Sequence, residues 1–198
     1  MKNTNHSLFD KYEMIKDLGT GSSGSVTLVR HISMDQERAL KKVPKASAFA
    51  ESALSEARLL KSLEHPSIPR IFDFEEDDAF YYIVEEYIDG ETLDSFLLHQ
   101  QLISPGLFFN ICEQLCNVFI YLHTQISTPI IYRDLKPEHI IVCHNKLKLI
   151  DYGVSAYVIQ DGNNFNHYGN IEFSAPECFI EDTITPAADI YSLGQLLQ

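Results

Sequence analysis

Four polar side chains stand close together in the stretch Ile130–Gly153, IIYRDLKPEHIIVCHNKLKLIDYG: Asp134, Lys136, His139 and Asp151. Two apolar runs, Ile140–Cys143 and Leu147–Ile150, flank the polar turn His144-Asn145-Lys146 and predict a short buried hairpin. That hairpin holds an acidic residue at each end, Asp134 and Asp151. Carboxylates held apart in this way suit phosphoryl transfer, in which one faces the attacking hydroxyl and the other holds a metal ion on the phosphates. Lys136 lies between them and can neutralise charge on the transferred group.

The bulk composition bounds the partners. With 28 acidic against 15 basic residues, the 198-residue chain has a formal charge of -13, which argues against an electrostatic grip on nucleic acid or on an anionic membrane. No basic segment precedes an N-terminal apolar run. The most apolar helix candidate, Leu107–His123, is interrupted by Asn110, Glu113, Gln114 and Asn117, so neither secretion nor membrane spanning is indicated and a cytoplasmic location is expected. Four cysteines offer no CxxC pair. Cys112 and Cys116 sit one helical turn apart, where small buried hydrophobes are expected rather than zinc ligands, and no disulfide is expected.

Met1–Asp10 is polar and expected to be loosely held. From Tyr12 the pattern is strand-like, and Leu18 to Val26 carries Gly19, Gly21 and Gly24 at G-x-G-x-x-G spacing between strands. Glycines there let backbone N–H groups approach phosphates. On the strand Arg38–Val43, alternation puts Ala39, Lys41 and Val43 on one face, so Lys41 points into the site and Lys42 to solvent. Phe49–Leu63 is helical by period, with Phe49, Ala53, Glu56, Leu60 and Leu63 on one stripe. Glu56 is the odd member, because a carboxylate on a buried stripe is costly unless paired. Strands Ile71–Phe74 and Tyr81–Val84 follow. Ser104-Pro105 supplies an N-cap and first-turn proline to a helix running to about Ile126, with Leu107, Phe108, Ile111, Leu115, Val118, Phe119 and Leu122 facing a core.

The stretch YRDLKPEH, followed by DYG at this spacing, resembles the catalytic and metal-binding loops of the eukaryotic-type protein kinases, HRDLKPEN and DFG. Further matches are the glycine loop, Ala39-Leu40-Lys41 for A-x-K, Ala175-Pro176-Glu177 for A-P-E, and Asp189-Ile190-Tyr191-Ser192-Leu193-Gly194 for D-x-W-x-x-G. The resemblance covers Tyr12 to Gln198 and implies an α+β, two-lobed fold: a five-stranded antiparallel N-lobe sheet with one helix, and a mainly helical C-lobe. The implied boundaries are a tail over residues 1–11, an N-lobe over 12–84, a hinge over 85–90 and an incomplete C-lobe over 91–198. Family members continue for several more helices, so the chain would be either a fragment or a shortened protein.

The resemblance also implies roles. ATP-dependent transfer to Ser/Thr hydroxyls of a protein substrate would use Asp134 as base, Lys136 on the γ-phosphate, Lys41 on the α- and β-phosphates and Asp151 on Mg²⁺, with Glu56 paired to Lys41. Lys136 points to Ser/Thr rather than Tyr. Leu18, Val26, Ala39, Ile141 and Ile150 would enclose adenine, and backbone groups of Glu86 and Ile88 would hydrogen-bond it. Glu85 stands beside the ring where an apolar residue or Thr is usual, either as a second partner of Lys41 or because the hinge is shifted by one residue. His123 matches a structural L-H, and Asp189 would brace the catalytic loop.

Two departures bear on activity. His139 replaces the family's metal-binding Asn, and imidazole suits Mn²⁺ and softer ions better than Mg²⁺. No Thr lies between Gly153 and Glu177, and Asn170 stands where a Thr usually meets the catalytic Asp and Lys; Ser155, Tyr157, Tyr168 and Ser174 are the remaining acceptors, with Asp161 or Glu172 as stand-ins for a phosphate beside Arg133. The alternative reading is a nucleotide-binding pseudokinase acting as a scaffold; a small-molecule kinase is disfavoured by the A-P-E match. Substrate, organism and oligomeric state are not legible.

Overall fold

The computed structural model describes residues 8–21, 24–100, 102–158, 170–180 and 184–198. The chain forms two compact units, residues 1–63 with 69–87, and residues 64–68 with 88–198.

In the first unit a helical turn, α1 (Leu8–Lys11), leads into strands β1 (Tyr12–Gly21), β2 (Gly24–His31) and β3 (Gln36–Pro44), helix α2 (Ala50–Lys61), and strands β4 (Ile71–Glu76) and β5 (Phe80–Glu86). The five strands form one antiparallel sheet in the order β1-β2-β3-β5-β4. Strand alternation gives it two apolar faces. Leu40, Tyr82 and Val84 pack with Tyr12 and Val29 on one side, while Val43 and Ile83 meet Ala53 and Ala57 of α2 on the other. The β1–β2 connection needs glycine at Gly24, where φ is +137° and an added Cβ would lie 2.1 Å from the Lys42 carbonyl oxygen.

Leu8 is not part of a loose tail: it is fully buried against Tyr12, Val29, Leu40, Tyr82 and Val84, and its N–H donates to Glu75 Oε2 at 2.8 Å. A single apolar residue in a polar run gives no periodic signal, which is why composition misplaced it. Phe49 does not lie on the buried stripe of α2; it precedes the helix and is 45% exposed. Lys42 does not simply face solvent, because its amine sits 4.0 Å from the centre of the Phe80 ring.

The second unit holds β6 (Glu91–Thr92), α3 (Leu93–Leu98), α4 (Pro105–Ile120) continued by a π-helical turn at Tyr121–Gln125, β7 (Ile130–Ile131), a 3₁₀ turn at Pro137–His139, β8 (Ile140–Cys143), β9 (Lys146–Leu149), β10 (Ala156–Tyr157), α5 (Glu177–Ile180) and α6 (Ala187–Leu196). Helix α4 starts as its sequence dictates, with Ser104 Oγ accepting from the Leu107 N–H. Its core face is Ile111, Leu115, Val118 and Phe119; Phe108 is 37% exposed, at the margin rather than in the core. Cys116 is exposed and Cys112 half-buried, so they are not the buried pair that the spacing suggested.

The predicted hairpin forms as β8 and β9, with β6 added to the β8 edge. Its turn places His144 and Asn145 at φ +47° and +63°, the left-handed pair that matches strand twist. Gln114 of α4 clamps that turn by donating to the Asn145 carbonyl and accepting from the Leu147 N–H.

Residues 64–68, expected in the first lobe, belong to the second unit. The Glu64 N–H donates to the Tyr121 hydroxyl, the His65 ring stacks on Tyr121, and the Ser67 carbonyl accepts from the Leu149 N–H at 2.8 Å. Among the described residues no helix is long and apolar enough to cross a membrane.

Because Leu8 fills a closed core, Leu8→Ala should lower unfolding free energy by about 2–5 kcal/mol. A shift in the denaturant midpoint at unchanged slope checks this; no shift would mean that the segment is not anchored.

Candidate active site

In the first unit, β3 carries Lys41 opposite Ile83 of β5 and Val26 of β2. Lys41 Nζ lies 2.7 Å from Glu56 Oε2 of α2, and both side chains are largely buried. A buried carboxylate that faces an ammonium group at hydrogen-bond distance is compensated, and either one alone would be costly. Glu85 pairs with Ala39 across β3–β5, so the register puts it on the same sheet face as Lys41. The β3–β5 ladder runs unbroken from Phe80 to Glu86. Gly19 lies opposite Val26, and an added Cβ at Gly19 or Gly21 would meet nothing within 4 Å, leaving that backbone open to approach. Leu18 is 40% exposed, Val26 half-buried and Ala39 buried. The Glu86 N–H already donates to the Arg70 carbonyl, so its amide is committed within the sheet edge. The Ile88 carbonyl accepts from Gly90. Ser22 and Ser23 of the glycine loop lie outside the described residues.

In the second unit, the backbone just before Asp134 is held by a buried carboxylate. Asp189 of α6 is wholly buried; its Oδ2 accepts from the Tyr132 N–H and from His123 Nε2, and its Oδ1 from the Arg133 N–H, each at 2.8 Å. Arg133 takes φ +75°, a conformation that a non-glycine residue holds only when its surroundings impose it. The chain then turns so that Asp134, buried, meets Lys136 Nζ at 3.2 Å.

Asp151 enters from the other side of the hairpin, also in the left-handed region at φ +62°. Its Oδ1 accepts from the Gly153 N–H at 3.3 Å, and its Oδ2 faces His139 Nε2 at 3.5 Å. His139 Nδ1 lies 3.1 Å from the Asp134 carbonyl oxygen and 3.3 Å from Asp134 Oδ2. Thus Asp134, Lys136, His139 and Asp151 form one cluster. Behind it the Tyr132 hydroxyl donates to the Ile150 carbonyl, and its ring packs edge-on to Tyr152. Burial, reinforced by Tyr152, Asp151, Asp134 and Asp189, raises the Tyr132 phenol well above its ordinary value, so the hydroxyl stays protonated. Ile141 and Ile150 are half-buried beside this cluster in sequence.

Between Asn170 and Ser174 the bonds are local. The Asn170 side-chain oxygen accepts from the Glu172 N–H, and its own N–H donates to Ser174 Oγ, closing a local turn. Ser174 is buried, and Ser155 Oγ donates to the Tyr132 carbonyl. Arg133 Nη1 donates to the Val154 carbonyl. Asp161 and Tyr168 lie outside the described residues.

Among the described residues no group of three or more His, Cys, Asp or Glu side chains is arranged to hold a metal ion unaided. Divalent ions in phosphoryl-transfer sites take one or two carboxylates and fill the remaining positions with phosphate and water. Asp151, 53% exposed at its side chain and aimed at His139, fits that donor set.

The sheet order, the lysine–glutamate pair and the Asp189-braced loop define a protein kinase fold, and residues 12–198 match the family described as protein kinase domain. The chain belongs to that family. It is 31% identical over 196 residues to the serine/threonine-protein kinase PrkC of Bacillus subtilis, covering 94% of this chain and 30% of the relative. It is 32% identical over 188 residues to the serine/threonine-protein kinase ppk25 of Schizosaccharomyces pombe, covering 92% and 44%, and 28% identical over 203 residues to PknB of Mycobacterium tuberculosis, covering 96% and 32%. The chain therefore spans less than half the length of these curated relatives.

Asp189→Asn replaces an acceptor with a donor in front of buried N–H groups, and should cost about 1–3 kcal/mol of stability. It should also loosen Tyr132 and Arg133. Faster amide exchange at those two positions, against unchanged exchange in the first unit's sheet, is the expected measurement.

Proposed function

We propose that the chain is the catalytic part of an ATP-dependent protein kinase acting on Ser or Thr. The observation that carries the reading is the single cluster of Asp134, Lys136, His139 and Asp151 on a backbone braced by Asp189. The Lys41–Glu56 pair supports it independently.

In this mechanism Asp134 accepts the proton of the attacking hydroxyl and orients it, while Lys136 neutralises charge that builds on the transferred phosphoryl group. Lys41, held by Glu56, grips the α- and β-phosphates. No side chain crowds the backbone at Gly19 and Gly21, which leaves room for phosphate oxygens there. Asp151 would hold a divalent ion, which would spread the negative charge of the phosphates. Lys136 in place of an arginine, and the names of the relatives, favour a protein Ser/Thr substrate.

Transfer of labelled phosphate from ATP to a generic protein should fall by roughly 10²–10⁴-fold in Asp134→Asn. Equal transfer by the variant would overturn the assignment of the base. A second reading, a nucleotide-binding scaffold without turnover, is favoured by one feature: His139 reaches both carboxylates where the family has Asn. It predicts binding of an ATP analogue with no transfer in either Mg²⁺ or Mn²⁺.

The segment between Gly153 and Glu177 contains no Thr, and Ser174 is buried, so switching by phosphothreonine is not expected. Intact-mass and peptide mass spectrometry of active protein should find no stoichiometric phosphate there.

A further inference from the structure

The second unit holds a cleft of about 350 Å³ that shares no residue with the cluster around Asp134. Three parts of that unit enclose it: the segment 64–68, helix α4 with its π-helical turn, and the start of β9. Apolar surface from Pro66, Ile120 and Leu147 forms part of the wall. Gln114 is a fixed part of the rest, since its amide nitrogen is spent on Asn110 and the Asn145 carbonyl and its oxygen on the Leu147 N–H.

The other polar groups of the wall are rich in donors. Ser67 is 6% exposed, yet its hydroxyl, on the cleft wall, has no hydrogen-bond partner among the described residues. A buried hydroxyl in that position is satisfied only by what enters the cleft. His65 Nδ1 accepts from the Ser67 N–H at 3.1 Å, and burial, with Lys148 nearby, holds the imidazole below its ordinary range. The ring is therefore neutral at neutral pH and keeps its hydrogen on Nε2, which is a donor. Lys146 brings an ammonium group that makes no ion pair among the described residues, and Asn117 and Gln125 add exposed primary amides. Among the described residues no Asp or Glu lines the cleft, in a chain with 28 acidic and 15 basic residues. The wall thus runs against the charge of the molecule as a whole.

We propose that this cleft binds a small monocarboxylate, whose apolar body lies on Pro66, Ile120 and Leu147 and whose carboxylate takes the Lys146 ammonium and the Ser67 hydroxyl. One cation among neutral donors matches a single negative charge; a phosphate dianion would call for a second cation. The volume lies at the lower end of the range for small-molecule sites, which sets the ligand's size at a single ring or a short chain. Such a ligand joins the segment 64–68 to the β8–β9 hairpin, whose far end leads to Asp151. The proposal does not rest on the kinase reading.

The test is a titration of the whole chain with four probes built on one ring, benzoate, benzamide, benzylamine and phenyl phosphate, followed by NMR of the Asn117 and Gln125 side-chain amides and the His65 ring. Benzoate should bind at roughly millimolar strength, as its few atoms allow, and at least about tenfold tighter than uncharged benzamide, with benzylamine weaker still. Lys146→Gln, at an exposed position, should bring benzoate down to the level of benzamide. Ser67→Ala should weaken benzoate by about two- to tenfold. Lys61→Gln, at an exposed position of α2 in the first unit, should leave all four affinities unchanged. Benzoate binding no tighter than benzamide, a preference that survives Lys146→Gln, or shifts that bypass Asn117 and Gln125 would overturn the proposal. So would phenyl phosphate binding tighter than benzoate.

Discussion

One buried carboxylate holds the backbone that leads into Asp134. Asp189 has no exposed surface, and it is compensated by two main-chain N–H groups and a histidine rather than by a lysine or arginine. Charge-assisted bonds of this kind are worth roughly twice a neutral one, and removing the acceptor leaves two buried donors without a partner. The bonds fall on consecutive residues, Tyr132 and Arg133, immediately before Asp134. The unfavourable φ at Arg133 is sustained by that grip, and the position of Asp134 follows from it.

A second layer of support is aromatic. Phe119 stacks on His123 and meets Tyr132 edge-on, and Tyr132 in turn meets Tyr152. This line joins α4 to the two loops that bear Asp134 and Asp151. Tyrosine at position 132 contributes something that a purely apolar ring would lack, since its hydroxyl fastens to the Ile150 carbonyl next to Asp151. The loops are thereby linked through side chains as well as through the β8–β9 ladder. In a chain of net charge -13, three carboxylates in one small region need such fixed donors close by.

Much of this was legible in the sequence, for reasons that differ from residue to residue. Strand alternation separates Lys41 from Lys42, because period two is rigid and one neighbour of Lys41, Val43, must be buried. Glu56 stands out because a carboxylate breaks an apolar helical stripe. The His144–Asn145 turn follows from polar residues between two apolar runs. Leu8 gives no sequence signal because an isolated hydrophobe carries no period, and Phe49 matches the helix period although it is only the N-cap of α2. The surroundings of His139 could not be inferred from its neighbours in sequence: they depend on Tyr132 and Asp151 arriving from opposite sides of a hairpin. The assignment of residues 64–68 to the second unit was likewise invisible, since it rests on main-chain bonds that any residue type can make.

That short segment has a consequence for how the molecule is assembled on synthesis. The Lys148 amine reaches the Ile68 carbonyl across a sequence separation of 80 residues, and the Leu149 N–H finds Ser67 across a similar span. Closing so long a loop is entropically slow, and proteins rich in such pairings fold later and more cooperatively than locally wired ones. The β8–β9 hairpin can form early on its own, but its outer edge stays unpaired until chain made much earlier returns to it. Cutting the gene at the Tyr87–Ile88 junction would therefore not yield two self-sufficient halves; the downstream half would lack five of its own residues.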